Sequence, residues 1–212
     1  MCAVRKTDSK KDTPVKIYYS GTSPYVRKVM VCAIVRGLDG RIEKHNSNPH
    51  ASPADLLADN PLSRVPCMVT DAGLSLFDSP VICEYLDSIG DTAPLFPTAG
   101  PARWRALKLQ AMGDGILDAA VPCRGELAKP KEAARDGLIA RYKAAMARTV
   151  GALEADLPSD GLDIGTIAVA CALGYLDFRY GGEPWRPGHP KLTAWYEAFA
   201  KHPALAATAP KE

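Results

Sequence analysis

Asn60-Pro61-Leu62-Ser63-Arg64-Val65-Pro66, followed by Cys67-Met68-Val69, the turn residues Asp71-Ala72-Gly73 and then Asp78-Ser79-Pro80, is the stretch that decides how this chain is read. A proline that opens a strand cannot donate to the sheet ladder. A Val-Pro bond is also among the few peptide bonds that adopt the cis form at modest cost, and a cis bond at Pro66 would turn the Val65 N–H and C=O outward. The sequence therefore predicts a main-chain edge on which an extended peptide ligand pairs as an added strand. Ser79 before Pro80 reads as N-cap and N1 of a helix. A helix start with a free hydroxyl suits a carboxylate.

The chain around this stretch has 212 residues, 47% of them hydrophobic and 24% charged, enough for one large core or two modest ones, and two domains are expected. A formal net charge of +2, with Lys and Arg spread along the chain, gives no basic field for nucleic acid. No apolar run approaches the roughly 18 residues that a membrane helix needs. Residues 1–13 are polar, Lys-rich and without an apolar period, which reads as a flexible arm and not as a signal segment. The expectation is a soluble, cytoplasmic protein with no membrane or nucleic-acid partner. Cys2, Cys32, Cys67, Cys83, Cys123 and Cys171 lie far apart, with no Cys-x-x-Cys pair and no Cys/His ligand spacing. No metal is expected, and the thiols read as reduced, several of them core residues. Cys67 follows Pro66 at the predicted edge, and its favoured reading is a strand residue facing the core.

Strand-like runs are expected at 15–19, 41–46, 67–70 and 74–77, and helical periodicity at 24–34, 52–58 and 80–89, with Gly37 and Gly90 as stops. The order β-α-β-α-β-β-α over 14–90 matches a thioredoxin-like fold. Pro94, Pro97, Gly100 and Pro101 mark a linker at 91–101. The remainder, 102–212, reads as all-helical. One helix is expected at 103–126, interrupted near Gly113 and Gly115 and kinked or ended by Pro122, and another at 131–157. Asp163 caps an apolar run at 167–176 that is hydrophobic on every face and belongs at the domain centre. A last amphipathic helix follows His189-Pro190. Internal repeats are absent.

With these elements in place the chain resembles the glutathione S-transferase family from about residue 15 to about residue 205. Asn60-Pro-Leu-Ser-Arg-Val-Pro66 is similar to the family's Asn-Pro-x-Gly-x-Val-Pro, Asp78-Ser79 stands where the family has an acidic-Ser pair, and the 167–176 run looks like its buried central helix. The resemblance implies a thioredoxin-like α/β N-terminal domain followed by an all-α C-terminal domain. It implies that the Val65 backbone pairs with the cysteinyl part of glutathione with Pro66 cis. Ser79 would hold the γ-glutamyl carboxylate, Asp78 the α-amino group, and Arg64 the glycyl carboxylate. Each residue also has a purely structural reading, as helix cap, dipole partner or solvated charge. Three features depart from the family pattern. Asp78 is a methylene shorter than the usual glutamate, Ser63 replaces a glycine, and the cap of the central helix is inverted, with Asp163 first and Thr166 third after it.

Ser20-Gly-Thr-Ser-Pro-Tyr-Val-Arg-Lys28 is similar to the bacterial serine-type branch, in which a hydroxyl stands where redox relatives keep a cysteine. Glutathione chemistry needs the thiolate. Lowering a thiol from about 8.5 by two units requires roughly 2.7 kcal/mol in favour of the charged form. One hydrogen bond to a charged group contributes about 1.5 to 3 kcal/mol, and a helix start about 0.3 to 1. Ser23, just before Pro24, is the first candidate donor to the sulfur, and capping alone is its competing explanation. Ser20 and Thr22 are alternatives in the same loop, while Tyr18 and Tyr19 lie on a strand. Arg27 is expected to fix a domain contact or a salt bridge. The resemblance implies a homodimer that activates glutathione, as substrate, for attack on a hydrophobic electrophile. Tyr25, Arg103, Leu107 and Met112 are candidates to line the acceptor pocket. The alternative is a glutathione-binding or regulatory member without turnover. A cysteine-based thiol oxidoreductase is disfavoured, because a hydroxyl forms no mixed disulfide.

Overall fold

The computed structural model describes residues 14–211; the arm expected at 1–13, with Cys2, lies outside the described residues. Val15–Tyr19 (β1) leads into Pro24–Val35 (α1) and Ile42–Asn46 (β2), then Ala54–Asp59 (α2), Cys67–Val69 (β3), Ser75–Leu76 (β4) and Ser79–Ile89 (α3). The sheet runs in the order β2-β1-β3-β4. β1 and β2 are parallel, and the other two pairs are antiparallel.

α1 ends as the sequence suggests. Gly37 sits at φ +69°, its N–H bonds Ile34 O at 3.0 Å, and the N–H of Leu38 bonds Ala33 O at 2.8 Å. This is the Schellman closure, which needs a left-handed residue just past the helix. α1 is buried almost all round from Val26 to Ala33, because it packs against both α3 and the C-terminal helices. Past α3 the connection is tied down by Asp87, whose carboxylate accepts from Leu95 N at 2.7 Å and Phe96 N at 3.1 Å and pairs with the buried Arg36 at 3.1 Å.

The helical part consists of Gly100–Leu127 (α4), Asp136–Ala155 (α5), Ile164–Arg179 (α6), Pro190–Phe199 (α7) and Pro203–Ala207 (α8). α6 is buried at every position from Ile164 to Leu176. Its inverted cap closes reciprocally: Thr166 N donates to Asp163 Oδ1 and Asp163 N to Thr166 Oγ1, both at 2.9 Å, as a capping box requires. α4 crosses α6 backbone to backbone. A Cβ on Gly113 would stand 2.6 Å from Ala168 C, and one on Gly165 would stand 2.5 Å from Ala106 O.

Three sequence expectations are corrected, and one short helix is added. α4 runs unbroken through Gly113, Gly115 and Pro122; the proline removes a single ladder bond near the end of a long, well-packed helix. The helix expected at 131–157 is a short 3-10 turn, Ala133–Arg135, followed by α5. Asp78, not Ser79, occupies the N-cap of α3, so Ser79 is N1. α8 was not expected at all, since five residues carry too little periodicity to register.

Candidate functional site

Sheet register gathers the site. Tyr18 on β1 pairs with Cys67 on β3, and Met68 pairs with Leu76 on β4. The end of β1, the start of β3 and the end of β4 therefore share one end of the sheet. The Ser20–Ser23 loop, Val65-Pro66 and Asp78-Ser79 follow or precede those strand ends directly.

Val65-Pro66 is cis, and so is Phe77-Asp78, a non-proline bond that nothing in the sequence announced. Neither the N–H nor the C=O of Val65 takes part in a backbone hydrogen bond among the described residues. The loop is held from behind by Asn60, which is buried. Its Nδ2 donates to Arg64 O at 2.9 Å, and its Oδ1 accepts from Leu62 N at 3.0 Å. Ser63 adopts φ +50°, the region glycine favours, and its hydroxyl donates to Pro49 O at 3.0 Å. Ser79 is 2% exposed, at the first turn of a helix whose N-cap makes no side-chain bond.

Ser23 caps α1, its Oγ accepting from Val26 N at 3.3 Å. That bond uses a lone pair and leaves the hydroxyl proton free to donate, so capping and donation are compatible. Ser20 and Thr22 belong to the same turn, with Ser23 N bonded to Ser20 O at 3.1 Å. The Tyr18 hydroxyl is committed to Asp59 Oδ2 at 2.7 Å and Asp55 O at 2.9 Å, which removes it from the Ser23 loop. Cys67 is fully buried, and burial pushes its thiol up to about 11.

The opposite wall comes from α4. Tyr25 donates to Asp118 Oδ1 at 2.5 Å, and the fully buried Lys28 holds both oxygens of Asp114 at 2.6 and 2.7 Å. Burial, then the Asp118 hydrogen bond, hold the Tyr25 phenol well above its usual range, with the charge of Arg64 acting against them. Burial raises the Asp114 carboxyl, Lys28 opposes this, and the charges of Asp118 and Asp78 add to it. Arg64, Asp78, Tyr25, Asp114 and Asp118 thus share one electrostatic neighbourhood between the two halves of the chain. At about 100° per residue, Arg103 and Leu107 fall on the α4 stripe that carries Asp114 and Asp118. Arg103 is spent on Glu84 at 3.0 Å and Pro97 O at 3.2 Å. Met112 departs from that stripe and lines a groove toward α5 with Arg148 and Thr149. Arg27 makes a domain contact, donating to Leu205 O at 3.2 Å, through backbone instead of a salt bridge.

Sequence reasoning missed Lys28, Asp114 and Asp118. The available signal was a lysine inside a helix that is otherwise buried all round. No group of three or more metal-ligating side chains is arranged to hold an ion among the described residues. No helix there is long and apolar enough to cross a membrane.

A thioredoxin-like sheet with an open main-chain edge, a helix start on either side of it and an all-helical second half is the architecture of a glutathione-transferase-like protein. The chain belongs to that family. The family models for the glutathione S-transferase N-terminal domain and C-terminal domain match residues 22–89 and 132–198. The uncharacterised GST-like protein YibF of Escherichia coli (strain K12) is 31% identical over 201 residues, covering 92% of this chain and 98% of that protein. Among solved structures, a glutathione transferase family member from Pseudomonas fluorescens Pf-5 with bound glutathione is 41% identical, with a TM-score of 0.89, covering 93% of this chain and 100% of that one. A glutathione S-transferase from Methylobacillus flagellatus KT with glutathione bound is 31% identical, with a TM-score of 0.85, covering 93% and 100%.

Proposed function

We propose that this protein is a cytoplasmic glutathione transferase that binds glutathione along the Val65 edge and activates its thiol through Ser23 for attack on a hydrophobic electrophile. The observation that carries the reading is the unused main chain of Val65, placed by sheet register beside two helix starts. Val65 pairs with the cysteinyl unit, Ser79 and Asp78 take the γ-glutamyl carboxylate and amine, and Arg64 takes the glycyl carboxylate. The Ser23 proton donates to the sulfur at the start of α1, where hydroxyl and dipole together supply about 2 to 4 kcal/mol toward the thiolate. The electrophile occupies the space between α1 and α4, bordered by Tyr25 and Leu107. Relatives that carry glutathione support the ligand.

The test is an ultraviolet difference titration with glutathione across pH on the wild type and Ser23→Ala. A thiolate signal near neutral pH that vanishes in the variant while binding persists is the expected outcome. Binding without thiolate in either protein would overturn the catalytic reading and leave a glutathione-binding protein. A homodimer is part of the same proposal, supported by Leu62, Leu74 and Trp104, which are 59%, 58% and 68% exposed and would otherwise stay in water. Light scattering should give twice the chain mass of 22.7 kDa; a monomeric mass at micromolar concentration would refute it.

A further inference from the structure

A second cavity lies wholly within the helical half, and none of its lining belongs to the sheet domain or to α4. It has a volume of about 270 Å³ and is walled by Met146 and Val150 of α5, Leu176 near the end of α6, and Tyr180, Trp185 and Pro187 of the connection to α7. A dry apolar cavity of about 150 Å³ accommodates a benzene ring. This one has room for two fused rings.

The polar hydrogens of Tyr180 and Trp185 are already engaged, so these two walls present mainly ring faces. Tyr180 donates to Ala120 O at 2.6 Å, and Trp185 Nε1 donates to Asp177 Oδ1 at 2.8 Å. Arg186 pairs with the other Asp177 oxygen at 2.6 Å and lies over the Trp185 ring at 4.8 Å, which fixes that wall. His189 Nδ1 lies 2.6 Å from Trp185 O. A carbonyl only accepts, so Nδ1 carries a proton. The ring's Nε2 is turned against α5, 4.0 Å from where a Cβ on Gly151 would stand. The remaining lining charges are Lys143 and Glu183, an ion pair of 2.6 Å whose side chains are 35% and 60% exposed.

We infer that this cavity is a binding site for a small planar aromatic carboxylate, its rings between Trp185 and α5 and its anionic group on Lys143 in place of Glu183. The exchange is inexpensive, because an exposed pair of this kind holds only weakly, and the incoming carboxylate brings apolar burial that Glu183 does not. An aromatic cation is the poorer occupant. It would have to displace Lys143, the less exposed member of the pair, and lean on Glu183, the more exposed one. The inference does not depend on the proposed transferase activity.

The test is calorimetric titration with 2-naphthoate, with and without saturating S-hexylglutathione. Binding should survive the glutathione derivative. It should weaken about three- to tenfold in Lys143→Ala and tighten about two- to fivefold in Glu183→Gln. It should disappear in Ala147→Trp, a filling substitution at an exposed lining position that leaves the core intact. Competition by S-hexylglutathione, indifference to Ala147→Trp, equal affinity for the neutral 2-naphthalenemethanol, or no binding by the wild type would each overturn the site. If S-hexylglutathione itself fails to bind, the transferase reading falls, and the Ala147→Trp comparison still decides this one.

Discussion

Ser23 and Cys67 carry the proposed chemistry at the level of single residues, one as a hydroxyl that can donate and the other as a thiol that is buried. Cys32, Cys67, Cys83, Cys123 and Cys171 are all buried and unbridged, and burial pushes both Cys67 and Cys171 up to about 11. In a Cys2→Ser background, titration with Ellman's reagent at pH 8 should find no thiol in the native protein and 5 after unfolding. Rapid native labelling, or reduction of a mixed disulfide that Cys67→Ser abolishes, would return Cys67 to the mechanism. The same shifts fix the sign of an alkaline effect. An acid whose pKa is higher folded than unfolded stabilises the fold below its unfolded value, about 8.5 for a thiol. That contribution is lost as pH climbs from there toward 11, so urea midpoints should fall over that window. The cis bond before Pro66 and the Ser23 cap were legible because each rests on a local rule about proline or helix starts. Lys28 and Asp114 were not, since a charge on a helix reads as solvated until its partner helix is in place.

Among the elements, α4 and α6 set the tightest constraint, and there the sequence misled. Gly113 looked like an interruption because glycine is a poor helix former. In the fold it is the point where two helix backbones touch. Gly113→Ala and Gly165→Ala must each push backbone away from backbone, and should destabilise by about 1 to 3 kcal/mol. Loss of less than half a kilocalorie in both, read from chemical denaturation, would mean the crossing is looser than it looks. Strand and helix existence in the first half was legible from periodicity and punctuation, from β1 to the Gly37 stop. Boundaries set by cap geometry were not, as the displacement of Ser79 from N-cap to N1 illustrates: both Asp and Ser are good caps, and only backbone angles choose between them.

At the scale of the molecule, the two halves are joined across the site by Tyr25–Asp118 and by the buried Lys28–Asp114 pair. Removing one partner of a buried pair strands the other charge, at about 3 to 5 kcal/mol. Asp114→Asn and Lys28→Met should both lower the unfolding midpoint sharply, and the double variant should recover part of the loss. Additive losses would show that the two side chains do not act as a pair. The two-domain plan was legible from the proline-rich linker and the shift in pattern, whereas the way the halves interlock was not, because it depends on which faces meet.

That interlock concentrates a great deal on very little chain. Ser23 caps α1 and is the proposed donor to the thiol, while Tyr25, Arg27 and Lys28 reach Asp118, α8 and α4, all within little more than one turn of α1. A single residue inserted or deleted there would rotate everything beyond it by about 100°, and each of these residues beyond the change would lose its partner. Point substitutions can retune this segment, but length changes cannot be absorbed. In the proposed transferase the room for new acceptor specificities therefore lies on the facing helix, while the spacing of α1 is left as the fixed gauge against which the rest of the pocket is cut.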